Sequence, residues 1–411
     1  MLVCLIQLME MLEMNISPVY NVPTYYNLPR KTQIINRTSN YNNDIILGYA
    51  YLVSNISFQA KSFKVPNKLE KFIGCLMGGA IGDAMGAPIE FLKYEQIQEK
   101  YGEDGIDTLI LDKNRKAYIT DDTQMTLFTA DGLIKSCLKN EDYNCEKEPD
   151  YNIIYNSYKD WHKCQTGQHI NGGWISALKE VHQFRSPGCT CMAYTQENKE
   201  PGSISNPTND RNGNGGIMRV APIGLMYHRN PELAFKVGAE TTALTHGSPN
   251  AYLSGGFQAA LIAYILQGNS ILASINKVKD ILIKYPNHED VLKKVNSVIQ
   301  YAADDTDSFL AIRNMGRSST GDAALGIALY CALKYPNNYE KAIKLAVNFD
   351  GDSDTIGSIV GNIVGASVGE YGIPAIWQRR IELSDEVYSL AEELYWGIHE
   401  IEDKEERYPI S

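Results

Sequence analysis

Three observations predict an all-α fold for this chain. From Leu69 onward, apolar residues recur at three- and four-residue spacing, the pattern of one buried helix face. Strand-like alternation is absent, Thr108-Leu109-Ile110-Leu111 being at most a fragment. Two stretches also carry glycine at every fourth position: Gly74, Gly78, Gly82 and Gly86, then Gly357, Gly361, Gly365 and Gly369.

Residues 1–65 are rich in Asn and Tyr, with Pro18, Pro23 and Pro29 too close together for a helix, so they read as an extension. Residues 66–400 read as the helical domain and 401–411 as a charged tail. Within the domain the spacing predicts helices near 69–86, 122–138, 152–163, 173–184, 232–244, 249–267, 270–284, 288–302, 321–333, 339–348, 354–369 and 384–399. Lys139 to Asp150 and Ser186 to Asn212 read as surface loops, the second leading into a glycine-rich turn. A mid-helix glycine costs about 1 kcal/mol relative to alanine, so the two stripes call for a reason. Either the striped helices pack closely in the domain centre, against each other, or their small positions face unrelated neighbours.

The formal charge of -11 and pI near 5.2 disfavour general nucleic-acid binding, which needs a basic surface. The 8 cysteines show no disulfide framework; Cys75 and Cys331 fall in apolar helical patterns as reduced core residues. Cys189-Thr190-Cys191 has no second pair to complete a zinc site. The apolar first ten residues lack a preceding Lys or Arg and run into Glu10 and Glu13, unlike a signal peptide. Sequons at Asn15, Asn36 and Asn55 are read as chance in an Asn-rich stretch. No run reaches the roughly 18 apolar residues of a membrane helix. A cytoplasmic location with no membrane partner is expected.

Thr120-Asp121-Asp122-Thr123 and Asp352-Ser353-Asp354-Thr355 each open an apolar helical run. Asp and Thr cap helices, but one cap needs one such residue. Crowded carboxylates repel unless cations lie between them, and an all-oxygen donor set suits Mg2+ or Mn2+ over Zn2+.

The motifs occur in a definite order. Gly78-Gly79-Ala80-Ile81-Gly82-Asp83-Ala84-Met85-Gly86-Ala87-Pro88-Ile89-Glu90-Phe91 precedes Thr120–Thr123. Gly213-Asn214-Gly215-Gly216-Ile217-Met218-Arg219-Val220-Ala221-Pro222 follows, then Leu244-Thr245-His246-Gly247, then Asp350-Gly351-Asp352-Ser353-Asp354-Thr355. This series resembles the ADP-ribosylglycohydrolase family from about Phe72 to about Trp396.

The resemblance implies a compact orthogonal helical bundle with a binuclear metal site in a central cleft. It implies two Mg2+, with Mn2+ as the alternative, held by Thr120, Asp121, Asp122, Asp352, Asp354 and Thr355. Asp121, Asp122 and Asp354 then also serve catalysis, and Glu90 is open between general acid/base or gating ligand and a solvated surface residue. Asp83 is open between partner of the ligands, helix cap and buried hydrogen-bond acceptor. Gly213, Asn214, Gly215 and Gly216 offer backbone N–H groups for a diphosphate. Met218, Arg219 and His246 join the substrate site, Arg219 as a phosphate contact or a structural tie.

The sequence also departs from the family. Gln168-His169-Ile170-Asn171-Gly172-Gly173 stands where many members read Asp-Ile-Gly, so His169 replaces an acid. No aromatic occurs in Arg317-Ser318-Ser319-Thr320, where members often offer one. Asp305 and Asp307 read as a solvated loop rather than a substitute. The expected activity is release of ADP-ribose from a modified protein side chain. A non-protein ADP-ribosyl conjugate, or a non-catalytic ADP-ribose-binding or crystallin-like structural role, is the alternative.

Overall fold

The computed structural model describes residues 65–410 except 143, 169, 171, 305 and 402, with no side chain for 399. The extension, its sequons and His169 lie outside the described residues. Lys64–Ser411 form one compact unit. Among the described residues there are no strands, only the isolated bridges Ala117–Ile381 and Gly213–Thr320.

Helix α1, Lys68–Gly86, starts from a capping box in which the Asn67 side chain accepts from Glu70 N–H at 2.9 Å and Glu70 returns the bond. From Phe72 to its end every residue is buried. The stretch Lys68–Ile89 is long and apolar enough to cross a membrane, yet 89% of its apolar window is covered by the rest of the fold. A short 3-10 turn, Ala87–Ile89, and helix α2, Tyr94–Tyr101, follow. Helix α3, Asp121–Lys139, lies against α4, Tyr151–Gln165.

After α5, Cys189–Tyr194, and α6, Ala221–Met226, helix α7, Pro231–Ala243, packs on α8, Pro249–Leu266. Then come α9, Ile271–Leu282; α10, Glu289–Ala303; α11, Ser308–Met315; α12, Gly321–Lys334; and α13, Tyr339–Val347. Helix α14, Ser353–Val368, is followed by α15, Ala375–Arg380, α16, Ser384–Trp396, and α17, Lys404–Arg407.

The glycine stripes meet each other. α1 and α14 run antiparallel, with Gly74 opposite Gly365, Gly78 opposite Gly361, Gly82 opposite Gly357 and Gly86 opposite Ser353. A Cβ on Gly361 would lie 2.5 Å from the Gly78 carbonyl carbon and 2.9 Å from Gly79 N. Only bare backbone permits this approach. Asn362 Nδ2 donates to Cys75 O at 2.9 Å, and Ser353 Oγ to Gly86 O at 3.0 Å, fixing the register along the seam.

The structure departs from the expected elements in several places. Residues 173–184 form two 3-10 turns, Ile175–Ala177 and Lys179–His182, instead of a helix. Carbonyls that a helix would use internally accept elsewhere: Gln124 Nε2 donates to Glu180 O and Gln183 O, and Gln165 Nε2 to Val181 O. Helices α2, α5, α6, α11 and α15 escape the periodicity because each is short; α2 buries only Ile97, and α5 interrupts the 186–212 stretch that reads as a loop. Asp307 caps α11, its carboxylate accepting from Leu310 N–H at 3.0 Å. The 401–411 segment is packed rather than a free tail: Tyr408 is buried, Arg407 O accepts from Trp174 N–H, and the Arg407 guanidinium lies 3.8 Å from the Trp174 ring centre.

Candidate active site

Both acidic helix starts open into one cavity of about 280 Å³, lined by Glu90, Asp121, Asp122, Asp352, Asp354 and Thr355 together with the 186–191 and 213–215 segments. Thr355 Oγ1 donates to Asp122 Oδ2 at 3.2 Å, joining positions separated by 233 in sequence. Ligand oxygens of Glu90, Asp352 and Asp354 lie within 4.8 Å of one another.

Each carboxylate is aimed by a specific partner. Thr120 caps α3, its hydroxyl accepting from Asp122 N–H at 3.4 Å, which leaves Asp121 and Asp122 free of that task. Asp83, fully buried on α1, accepts from Thr120 N–H at 3.0 Å, Thr120 Oγ1 at 2.7 Å, Thr123 N–H at 3.1 Å and Thr123 Oγ1 at 2.5 Å. Asp83 is thus the anchor that holds the first turn of α3 against α1. Asp121 Oδ2 accepts from Gly188 N–H at 2.9 Å. Asp352 occupies the N-cap of α14 without using its side chain there; its Oδ2 accepts from Asn214 Nδ2 at 3.0 Å, and its N–H donates to Ser318 Oγ at 2.9 Å.

Glu90 is presented by an unusual backbone. Phe91 adopts φ 58, uncommon for a bulky residue, and its N–H donates to Gly351 O at 2.7 Å. This bend leaves Glu90 half-buried beside the acids and the Phe91 side chain exposed.

The cluster carries uncompensated charge. Among the described residues no Lys or Arg forms an ion pair with Asp83, Asp121, Asp122, Asp352 or Asp354. Burial, then Asp352, Asp121 and Asp83, pushes the Glu90 carboxyl up to about 8. Burial raises Asp121 to about 7 against the Gly188 N–H bond, and burial with neighbouring carboxylates holds Asp122 and Asp354 well above the usual range. Asp122 Oδ1 is buried with no hydrogen-bond partner. A buried, unpartnered carboxylate oxygen among like charges is what a hard cation would satisfy, so this donor set fits Mg2+ or Mn2+.

The remaining predicted residues divide. Gly213, Asn214, Gly215, Met218 and His246 line the cavity. Asn214 N–H donates to Ser319 O at 3.2 Å, and Asn214 to Gly216 are buried, so the turn is less a bare anion nest than its sequence suggests. Gly216 lies under Thr242, where a Cβ would come within 3.4 Å of the Thr242 Cβ, and does not line the cavity. Arg219 is fully buried, its guanidinium 4.0 Å from the Tyr158 ring centre and its Nη2 donating to Thr245 Oγ1 at 2.7 Å. It belongs to the wall behind the cleft, which corrects the phosphate-contact reading. Thr120 Oγ1 donates to Asp83 and faces an adjoining cavity rather than the acidic one.

Sequence reasoning missed Gly188, whose N–H orients Asp121, and an aromatic pair beside the cleft. Phe309 and Phe349, with Arg313 and Arg317, line a second cavity of about 450 Å³ that shares Phe91 and Ser319 with the first. Residues 317–320 carry no aromatic, and the aromatics on this cavity's wall come from positions 309 and 349. Cys189 is exposed and Cys191 buried, both as free thiols.

Fold and cleft together define an all-α protein that gathers buried carboxylates around a small-molecule site. The family profile described as ADP-ribosylglycohydrolase matches residues 64–403; the chain belongs to this family and is an enzyme that hydrolyses glycosidic bonds. It is 24% identical over 365 residues to the ADP-ribosylhydrolase ARH3 of Homo sapiens, covering 80% of this chain and 93% of that one. It is 24% identical over 334 residues to the ADP-ribosylarginine hydrolase Tri1 of Serratia proteamaculans, covering 80% of each. An uncharacterized protein of Archaeoglobus fulgidus is 26% identical over 331 residues, covering 79% of this chain and 96% of that one. A solved structure titled an ADP-ribosylglycohydrolase-related protein complex shares the fold, with TM-score 0.54 and 22% identity over 80% of this chain and 98% of that one.

Proposed function

We propose that this enzyme releases ADP-ribose from an ADP-ribosylated protein side chain with the help of two divalent cations, Mg2+ or Mn2+. The observation that carries the proposal is the meeting of the two acidic motifs, sealed by the Thr355–Asp122 bond and leaving Asp122 Oδ1 unpartnered. Asp121, Asp122, Asp352, Asp354 and Thr355 would hold the ions, with Thr120 set behind them by its bond to Asp83. When bound, such ions supply positive charge to orient ribose hydroxyls and acidify a water.

The chain's own groups divide the remaining work. Glu90, raised to about 8, holds or passes a proton beside the anomeric centre near neutral pH. Gly213, Gly215, Met218 and His246 line the cleft where a ribose and diphosphate would lie. The adjoining cavity, with Phe309 and Phe349 beside Arg313 and Arg317, suits an adenine ring and nearby phosphate. A planar ring against two aromatics and anionic oxygens near two guanidiniums match that lining chemically.

The test is ADP-ribose release from arginine-linked and serine-linked ADP-ribosyl peptides with Mg2+, with Mn2+ and with chelator. Release that requires metal supports the proposal and identifies the linkage. Release unaffected by chelator would remove the metal from it. Cleavage of only a non-protein conjugate would replace the substrate, and ADP-ribose binding without release would favour the non-catalytic alternative.

A further inference from the structure

We infer that a buried relay from Arg219 through Thr245 to His246 locks His246 in one tautomer, with Nε2–H directed at the ligand cleft as a fixed neutral donor for an oxygen of the bound ADP-ribosyl group. The inference rests on the functional reading above for the identity of the ligand, but not for the tautomer. Arg219 Nη2 lies 2.7 Å from Thr245 Oγ1, and Thr245 Oγ1 lies 2.8 Å from His246 Nδ1. Arg219 and Thr245 are fully buried, and His246 is 1% exposed.

The direction of the relay follows from donor chemistry. A guanidinium has only donors, so the Thr245 oxygen must accept from Arg219. The Thr245 hydroxyl proton then needs an acceptor, and His246 Nδ1 is the one the structure offers within hydrogen-bonding distance. Were Nδ1 protonated instead, two donors would converge on Thr245 Oγ1 and its own proton would be buried unpaired, the less favourable arrangement. Nδ1 therefore accepts and Nε2 carries the hydrogen. Burial, reinforced by Arg219, pulls the imidazole down to about 3, so the ring stays neutral and keeps this single proton.

The far edge of the ring is kept open by glycine. A Cβ on Gly213 would stand 3.2 Å from His246 Nε2, and one on Gly215 3.5 Å from it. Both glycines and His246 line the cavity. The glycine turn thus acts here by leaving the Nε2–H edge uncovered, and Arg219 serves as a positioning residue through Thr245.

The experiment is a long-range 1H–15N spectrum of the full chain labelled with 15N-histidine, His246 being assigned by its loss in His246→Gln. At pH 7 the expected His246 pattern is a protonated Nε2 and an unprotonated Nδ1. The reverse pattern, or a doubly protonated ring, would overturn the relay without reference to any ligand. Thr245→Val should mix the tautomers and weaken binding of free ADP-ribose by about tenfold, while leaving Mn2+ affinity unchanged. Thr245→Ser should restore both properties. A Thr245→Val protein that keeps the Nε2–H pattern, or that mixes tautomers with undiminished ADP-ribose affinity, would refute the proposal. Gly213→Ala should lower ADP-ribose affinity with the tautomer intact, and wild-type affinity would count against the open-edge argument. Failure of the unaltered protein to bind ADP-ribose would instead overturn the functional reading, which separates that failure from a reversed nitrogen pattern.

Discussion

Gly361→Ala tests how the fold holds its site. The added methyl would stand 2.5 Å from the Gly78 carbonyl carbon, about 1 Å inside the 3.4 Å at which contact becomes ordinary. Nothing there can rotate away, because the obstructing atoms are backbone in the middle of α1. The Gly78 carbonyl oxygen is closer still, so the helices must part by more than about 1 Å, and overpacking a tight core costs about 1–3 kcal/mol, here at the upper end. Alanine returns about 1 kcal/mol of helix propensity, so the net loss should be about 2 kcal/mol. With an unfolding entropy near 2.1 cal/mol/K per residue, a domain of this size should lose about 3 °C of Tm.

The matched control is Gly326→Ala in α12. Its methyl meets Lys294 Cγ at 2.9 Å and Lys294 Cδ at 3.1 Å, both on a flexible side chain. That variant should lose less stability than Gly361→Ala, because the Lys294 stem can shift where the α1 backbone cannot. Calorimetric unfolding of both variants decides the matter, with Mn2+ titration of Gly361→Ala as a second readout, since parting α1 from α14 also separates Asp83 from Asp354. Gly361→Ala unfolding at or above the wild-type temperature would refute the close-seam argument.

Other perturbations act on the carboxylates. Asp122→Asn should cut turnover by more than about 100-fold, since loss of mere supporting partners of a metal site costs about 10–100-fold. The same change should raise Tm in chelator by relieving like-charge repulsion, and a lower Tm with wild-type turnover would contradict both expectations. Asp83→Asn replaces an acceptor of several bonds by a group with one acceptor oxygen; Mn2+ affinity by calorimetry should fall about 10–100-fold, and unchanged affinity would free Asp83 of the anchoring role. The metal-free protein should lose stability as pH rises. Glu90 and Asp121 have folded-state values near 8 and 7 against unfolded values near 4, so their contribution is complete below about pH 4 and lost through pH 7–8. Denaturant titrations from pH 6 to 8.5 in chelator should show that fall, and excess Mn2+ should abolish it; a rise with pH in chelator would contradict the charge assignment.

The features legible beforehand are those whose meaning is local or repetitive. Glycine at every fourth position marks a bare stripe wherever the helix lies, and the surplus of acid over any capping need is visible within a single turn. The rest depends on contacts across the fold. Asp83 reads as one acid on an apolar helix until Thr120 and Thr123 are brought to it. Arg219 stands within the glycine-turn motif, yet its side chain is directed into the core by Tyr158 and Thr245. The 173–184 segment has helical spacing but loses its carbonyls to Gln124 and Gln165, side chains of other elements. Phe309 and Phe349 flank one pocket from separate stretches, so no motif joins them.

The α1–α14 seam also bears on how this chain is made. Its first half is among the earliest parts of the domain to leave a ribosome, and its second half comes nearly three hundred residues later. A buried, almost wholly apolar α1 must therefore wait for its partner through most of synthesis, exposed to whatever else is present. Because Asp352 and Asp354 arrive with that partner, no product that stops short of α14 can assemble the full set of cleft carboxylates. Metal uptake would then report on chains that have reached α14.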